Sequence, residues 1–565
     1  MYSELINRIK PLPKFNLKWY KNTDLYSEGE VEDLIIQLIA ANESENYTQA
    51  IYNNYAWSTY YHLTHLRKNI LNWYPFEKNA SILEIGCGLG AITGLLCDRC
   101  EKVTAVELSK KRATATLLRC KDKENLEIIV GNLNDIEFEE KFDYITLIGV
   151  LEYQGSYTET ENPYLDFLKK IKGLLKPNGK LLIAIENQYG LKYWCGARED
   201  HTAIPFEGMN QYFSNDKKVR TFSRSGLEEL VKQSGFTNTY FYYPMPDYKL
   251  PAVVYSEKTL PVNGNMLNMK SYYTDRSTLV AIEEYLYEDI VKNRVFEFFA
   301  NSFLVECSDA DDIGKVTFAT MSSERTVEYR IGTSFTATGR VEKFALTNEG
   351  MPHILQILKN EQDIRMRGLK VCESTLVEGK LESDYVNAAS AEAEVLDAIR
   401  KRNDERVYML LDGLFEEICK SSEEVPGDKN LIFSFGLDTV ENSDKYGKIL
   451  ETGYLDMILR NAFILNDEYV WFDQEWTLEN VPAKFIMFRA LRELYKAFFE
   501  IEKLMPILEV AKHYGLEECW SIFEKVELLF AGTVMDQAHL KESEPIYDGD
   551  RAECIVNNIK KILNV

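Results

Sequence analysis

The 565-residue chain contains no run of about 18 apolar residues free of charge, the least that a membrane-spanning helix needs. The opening stretch "MYSELINRIKPLPKFNLKWY" lacks the apolar core of a signal peptide. Basic residues are too few to neutralise the acids: Lys and Arg number 65 against 89 Asp and Glu, a formal charge of −24. No basic cluster stands out from this background, so a phosphate backbone would be repelled and nucleic acid is excluded as a partner. The 10 cysteines show none of the paired spacing of a disulfide scaffold and read as reduced thiols. Cys97 and Cys100 form a C-x-x-C with no second pair to complete a zinc site, and His62 and His65 have no carboxylate pattern beside them. Repeats, heptad arrays and low-complexity tracts are absent as well. What remains reads as a soluble, cytoplasmic chain of two or three globular domains, with 45% apolar and 27% charged residues.

Aromatic residues at helical spacing fill 46–74, with Pro75 just beyond, which predicts helices capping the domain that starts there. From residue 81 short apolar runs alternate with helical stretches: "SILEIG", "KVTAVEL", "LEIIVG", "FDYITLIG" and "GKLLIAIEN" as strands, with helices at 91–99, 109–121 and 163–175. Such alternation predicts βαβ units and a mostly parallel sheet. The helix in "SRSGLEELVKQSGF" and the strands "TNTYFYYP" and "AVVYSE" bring the expected count to about seven strands ending near residue 256.

The first strand ends in "EIGCGLG", with Gly86, Gly88 and Gly90 at alternate positions behind Glu84. A glycine-rich turn from strand to helix lets the backbone approach a ligand. "GCGLGA" also satisfies G-x-G-x-x-A, so an NAD-dependent dehydrogenase and a ligand-free tight turn are alternatives. Glu84 inside the strand favours a ligand that carries an ammonium group over a pyrophosphate. Glu107, at the tip of the second strand, is placed to accept both hydroxyls of a ribose, each charged hydrogen bond contributing about 1.5–3 kcal/mol. "GNLND" supplies a small polar turn for an adenine edge, and "GVLEY" a floor.

In these residues the segment 60–255 resembles the class I S-adenosylmethionine-dependent methyltransferases, whose E-x-G-x-G-x-G motif matches Glu84, Gly86, Gly88 and Gly90. The resemblance implies that Glu107 binds the ribose, that Asn132 and Leu133 flank the adenine, and that Gly149–Tyr153 face the methionine and the methyl acceptor. The long connection after the fifth strand, "ENQYGLKYWCGAREDHTAIPFEGMNQY", is crowded with aromatic and acid/base groups and reads as an acceptor lid. Asp200 and His201 are its candidates for a general base or an acceptor contact. Arg198, Arg220 and Arg224 are candidates to clamp an anionic acceptor.

In the second half, "YLDMILRNAFILNDEYVWFDQEW" orders Asp456, Asn461 and Asp473 as protein kinases order their catalytic Asp, metal-binding Asn and metal-binding Asp. Lys343 in "RVEKFAL" and Glu361 in a following helix suit a phosphate-binding Lys paired to a helix Glu. No glycine-rich phosphate loop precedes them, and Tyr-Leu stands where His-Arg is usual. Residues 300–500 thus resemble a diverged kinase-like fold that binds ATP and magnesium. A non-catalytic substrate-binding module and a purely structural helical domain are the alternatives.

The tandem is similar to bifunctional methyltransferase/kinase enzymes that cap bacterial surface polysaccharides. This implies a glycan or glycan-phosphate acceptor and peripheral association with a polysaccharide assembly complex. The expected fold is α/β: a Rossmann-like, seven-stranded methyltransferase domain over 46–265, then an α+β kinase-like domain over 275–500. An N-terminal extension (1–45) and a helical segment (501–565) flank them. Within 275–500, a helix is expected at 279–299 and helices are expected to dominate 351–401, with "KVTFATMS", "TVEYRIG" and "RVEKFAL" as strands and an irregular, charged stretch near 421–450.

Overall fold

The alternation that starts at residue 81 does build a parallel sheet. A computed structural model describes residues 13–24, 29–42, 46–214, 218–262, 264–266, 269, 271, 275–536 and 551–563. Residues 1–12 of the expected N-terminal extension and 537–550 of the expected C-terminal helices lie outside the described residues. The chain divides into two units, Met1–Ser323 with Ser334–Thr338 and Gln537–Val565, and Glu324–Thr333 with Gly339–Asp536.

Among the described residues, ten strands lie wholly in unit 1: β1 (Lys14–Asn16), β2 (Ser81–Ile85), β3 (Lys102–Glu107), β4 (Leu126–Val130), β5 (Phe142–Ile148), β6 (Leu175–Glu186), β7 (Asn238–Met245), β8 (Val253–Ser256), β9 (Ser302–Ser308) and β10 (Val316–Met321). They lie in the order β1-β4-β3-β2-β5-β6-β9-β7-β8-β10. The strands from β1 to β6 in that order pair parallel. Leu181, Leu182, Ile183, Ala184 and Ile185 of β6 are all fully buried, as a continuous apolar run must be when the sheet is covered on both faces. Helix Lys110–Arg119 starts where the Ser109 hydroxyl accepts from the Arg112 amide at 3.3 Å, satisfying one of the free donors of the first turn.

Two expectations need correction. The boundary at 265–275 falls inside unit 1, because β9 inserts antiparallel between β6 and β7. β9 is fully buried and pairs on both sides, so its residues, SFLVECS, complete the first sheet. Helices Met351–Met366 and Ala391–Arg400 do lie in 351–401, but strands unforeseen in the sequence separate them. Helix Met351–Met366 is followed by an antiparallel hairpin, Thr375–Val377 with Lys380–Asp384, which pairs on to Arg340–Ala345. Its two turn residues, Glu378 and Gly379, both have positive φ, 48° and 82°, which suits the twist of a two-residue hairpin.

The rest of unit 2 packs helices Ala391–Arg400, Asp404–Lys420 and Ala483–Ala497 around one apolar core that includes Val395, Leu411, Trp471 and Phe488. No helix among the described residues is long and apolar enough to cross a membrane.

Candidate functional site

The turn after β2 keeps its backbone in the left-handed region at Gly86, Gly88 and Gly90, with φ of 74°, 57° and 76°. The space around it is as restrictive. A Cβ on Gly86 would lie 2.5 Å from Val150 Cγ2, and one on Gly90 would lie 3.0 Å from the backbone of Thr116 in helix Lys110–Arg119. The missing side chains therefore let the turn pack against its own neighbours, with the Gly86 and Gly90 amides bonded to the Val106 and Cys87 carbonyls, while Gly86 and Gly88 line a cavity. Glu107, at the end of β3, accepts from the Gly88 amide at 2.9 Å and the Ser109 amide at 3.0 Å. A carboxylate has about four lone-pair sites, so two remain after these bonds.

Glu84 corrects the sequence reading. It is buried, accepts from the Thr93 hydroxyl at 2.7 Å, and is not among the residues lining the cavity. Burial raises its pKa from 4.5 to about 7, with the Thr93 bond opposing and Glu107 adding to the rise. It ties the strand end to the first residue of helix Thr93–Arg99 and does not face a ligand.

The cavity has a volume of about 670 Å³, within the usual range of small-molecule sites. Gly86, Gly88, Glu107, Asn132, Leu133 and Gly149 line one end of it. Asn132 accepts from the Asn134 amide at 2.9 Å, which turns the chain after β4. Gly149 follows β5 at φ 70°, and a Cβ there would meet the Tyr248 hydroxyl at 2.9 Å.

At the other end Asp200 and His201 also line the wall. Asp200 is paired with Lys192 and Lys249, each at 2.8 Å. Although burial opposes its charge, those two ammonium groups hold its carboxyl well below the usual range, so it is no proton acceptor near neutrality. His201 is ringed by acids: its Nδ1 meets Glu199 at 2.9 Å, and its Nε2 lies 3.6 Å from Glu152 and 3.9 Å from Glu186. Burial disfavours the imidazolium, but Glu186, Glu152 and Glu199 outweigh it and raise the pKa well above the ordinary value. As a free base the ring is thereby disabled.

Arg198 lines the cavity but is paired with Asp275 at 2.6 Å, while Arg220 and Arg224 are not among the lining residues. Sequence reasoning missed Glu186, Tyr248 and Lys249. Glu186 had a signal, an acid closing the apolar run "LLIAIE"; Lys249 had none.

Residues 83–183, which hold this turn and most of the cavity's first end, match the family model "Methyltransferase domain". The chain carries an S-adenosylmethionine-dependent methyltransferase domain. Malonyl-[acyl-carrier protein] O-methyltransferase of Priestia megaterium is 30% identical over 131 residues, which cover 22% of this chain and 42% of that protein. Nodulation protein S of Rhizobium tropici is 26% identical over 125 residues, 22% of this chain and 51% of that one. This chain thus spans about half the length of these relatives or less. A solved S-adenosylmethionine-dependent methyltransferase from Thermotoga maritima, 14% identical, covers 47% of this chain and 98% of its own with a TM-score of 0.28.

Outside the methyltransferase cavity the candidate thiols are inert. Cys97 and Cys100 are buried and unpaired, with the Cys100 pKa pushed up to about 12 by burial. His62 lines the cavity, whereas the ring of His65 bonds the Ser323 carbonyl at 2.9 Å.

In unit 2 the structure brings Lys343, Asp456, Asn461 and Asp473 into one cluster. Lys343 pairs with Asp473 and lies 3.6 Å from Glu475. The expected pairing of Lys343 with Glu361 is not made: Glu361 accepts from Ser374 at 3.1 Å, and burial lifts its pKa to about 7. Asp456 accepts from the Glu475 and Trp476 amides at 2.9 and 3.1 Å, and the Asn461 side chain donates to the Asp456 carbonyl at 3.2 Å.

Proposed function

We propose that the protein transfers the methyl group of S-adenosylmethionine to a hydroxyl of a small polyhydroxylated acceptor of the glycan class. The observation that carries this reading is the bare turn at Gly86–Gly90, bonded to Glu107, on a cavity that is also lined by the acids around His201. The residues fit the donor: a turn at Gly86 and Gly88 with no side chains to fill the cavity, two unused lone-pair sites on Glu107, and the Asn132–Leu133 turn. When bound, S-adenosylmethionine supplies an electrophilic methyl on a sulfonium. The chain's part is to hold the acceptor in line with it, to exclude water, and to take the hydroxyl proton on the carboxylate of Glu152 as the acceptor oxygen bonds the methyl carbon and the sulfur keeps the electron pair of the broken bond. Trp57, Tyr61, Tyr153 and Tyr248 make part of the cavity wall aromatic, and the carboxylates of Glu152 and Glu186 accept from hydroxyls.

A phosphate acceptor is disfavoured, because the cations on the wall are engaged: Arg112 by Glu32, Arg198 by Asp275, Lys249 by Glu186 and Asp200, and Arg67 by the Lys249 carbonyl. The test is incubation with labelled S-adenosylmethionine and a cell glycan extract, followed by product mass spectrometry. Methyl esters of sugar phosphates as the product, or no transfer at all, would overturn the hydroxyl reading.

A second reading concerns unit 2. The juxtaposition of Lys343, Asp456, Asn461 and Asp473 favours a phosphoryl-transfer site, in which the acids would hold magnesium and Lys343 the phosphates of ATP. Lys343 would then have to leave Asp473 for the nucleotide. Magnesium and ATP together are expected to raise the melting temperature, and Asp473→Asn to abolish the rise; no rise in the wild type leaves unit 2 as a non-catalytic module.

A further inference from the structure

Glu152, Glu186 and His201 come from three separate segments, the turn after β5, the end of β6 and the connection after it, yet their ligand atoms lie within 4.8 Å of one another. Both glutamates are at most 1% exposed. One oxygen of each, Glu152 Oε2 and Glu186 Oε2, is buried without a hydrogen-bond partner, a costly state for a carboxylate unless something else satisfies it. The nearby lysines do not satisfy these atoms, since Lys249 bonds the other oxygen of Glu186 and Lys192 is taken by Asp200, and His201 Nε2 stands 3.9 Å from Glu186 Oε2, beyond hydrogen-bond reach. The imidazole is already oriented, since its Nδ1 lies 2.9 Å from Glu199 and so Nε2 points at the two glutamates. A carboxylate that fixes one ring nitrogen while the other meets a metal is the usual outer-shell arrangement of a histidine ligand. The separations from Nε2, 3.6 Å to Glu152 Oε1 and 3.9 Å to the orphaned Glu186 Oε2, are what two bonds of about 2.1 Å to a common ion would span.

We propose that Glu152, Glu186 and His201 bind one divalent transition-metal ion on the inner wall of the cavity, with Glu199 positioning the imidazole. One nitrogen and two carboxylates suit manganese, iron(II), cobalt or zinc better than calcium or magnesium. Three protein ligands leave coordination positions open toward the cavity, where an acceptor oxygen can bind. That role in orienting an acceptor rests on the methyl-transfer reading; the site itself does not.

The test is titration of the full-length protein with cobalt(II) chloride, followed by visible absorption, with calorimetry of S-adenosylmethionine binding run in parallel on each variant. The expected result is one cobalt per chain, with affinity lowered at least about tenfold by Glu152→Gln or Glu186→Gln. Glu199→Gln is expected to lower it by about ten- to a hundredfold. A native circular-dichroism spectrum and a single cooperative thermal transition in these variants report an intact fold. No cobalt bound by a wild type that binds S-adenosylmethionine, or equal cobalt affinity in all variants, would overturn the site. Cobalt binding without S-adenosylmethionine binding would instead keep the site and remove the methyl-transfer reading.

Discussion

Glu107 accepts a hydrogen bond from the Gly88 amide at 2.9 Å, joining the tip of β3 to the turn after β2. The two segments that must grip the two ends of a nucleoside are thus already registered to each other. Replacing Glu107 by Ala is expected to remove both the ribose acceptor and this registration. Affinity for S-adenosylmethionine should fall by about 2 kcal/mol, roughly thirtyfold, in calorimetry. An unchanged affinity would take Glu107 out of the site.

Gly86 tests whether the turn is bare for packing reasons. Gly86→Ala places a methyl 2.5 Å from Val150 Cγ2 and forces a side chain on to φ 74°. The expected loss is of the order of 1–3 kcal/mol for such overpacking, plus about 1 kcal/mol or more for the left-handed backbone. Adding Val150→Ala should recover the packing part alone, so the double variant melts between the single variant and the wild type. A double variant no more stable than Gly86→Ala would mean that backbone strain is the whole cost.

Much of this architecture is legible in the chain, and what is not has a physical reason. β2 to β6 announce themselves because a strand covered on both faces must be apolar throughout, and the glycines because left-handed φ excludes most other residues. β9 is hidden: nothing local in "SFLVECS" says that it returns across a long connection to lie between β6 and β7. Asp200 and His201 are visible as titratable residues in a long loop, but their chemistry is decided by Lys249, Lys192 and Glu186. Lys249 arrives from elsewhere in the sequence, and Glu186 and Lys192, though in the same connection, are brought beside them only by its fold. Lys343 shows the same limit. A flexible amine takes the acid that folding brings nearest, here Asp473, and sequence order points equally well to Glu361.

Glu84 carries a pH signature. Its pKa is raised from 4.5 to about 7, chiefly by burial, so the folded state favours the neutral carboxyl. Stability from this group is fully present below the unfolded value of 4.5 and is lost as the pH rises to about 7. The loss is of the order of 3 kcal/mol. Glu84→Gln keeps an acceptor for Thr93 and cannot ionise. Relative to the wild type, the variant should therefore gain thermal stability between pH 5 and pH 8. A constant difference across that range would show that Glu84 is charged in the folded protein.

Lys343 is 13% exposed and lies between two acids, Asp473 and Glu475. Removing one partner of a buried ion pair leaves uncompensated charge and typically costs about 3–5 kcal/mol. Lys343→Met is expected to lower the unfolding free energy by that amount in urea, whether or not unit 2 binds a nucleotide. Asp473→Asn in the same chain should restore part of the loss, because Glu475 still has Arg325 within ion-pair distance. A strictly additive double variant would mean that Lys343 and Asp473 do not share an interaction. The nucleotide reading would then lose its starting geometry, because the cation and the metal-binding acid would be independent sites.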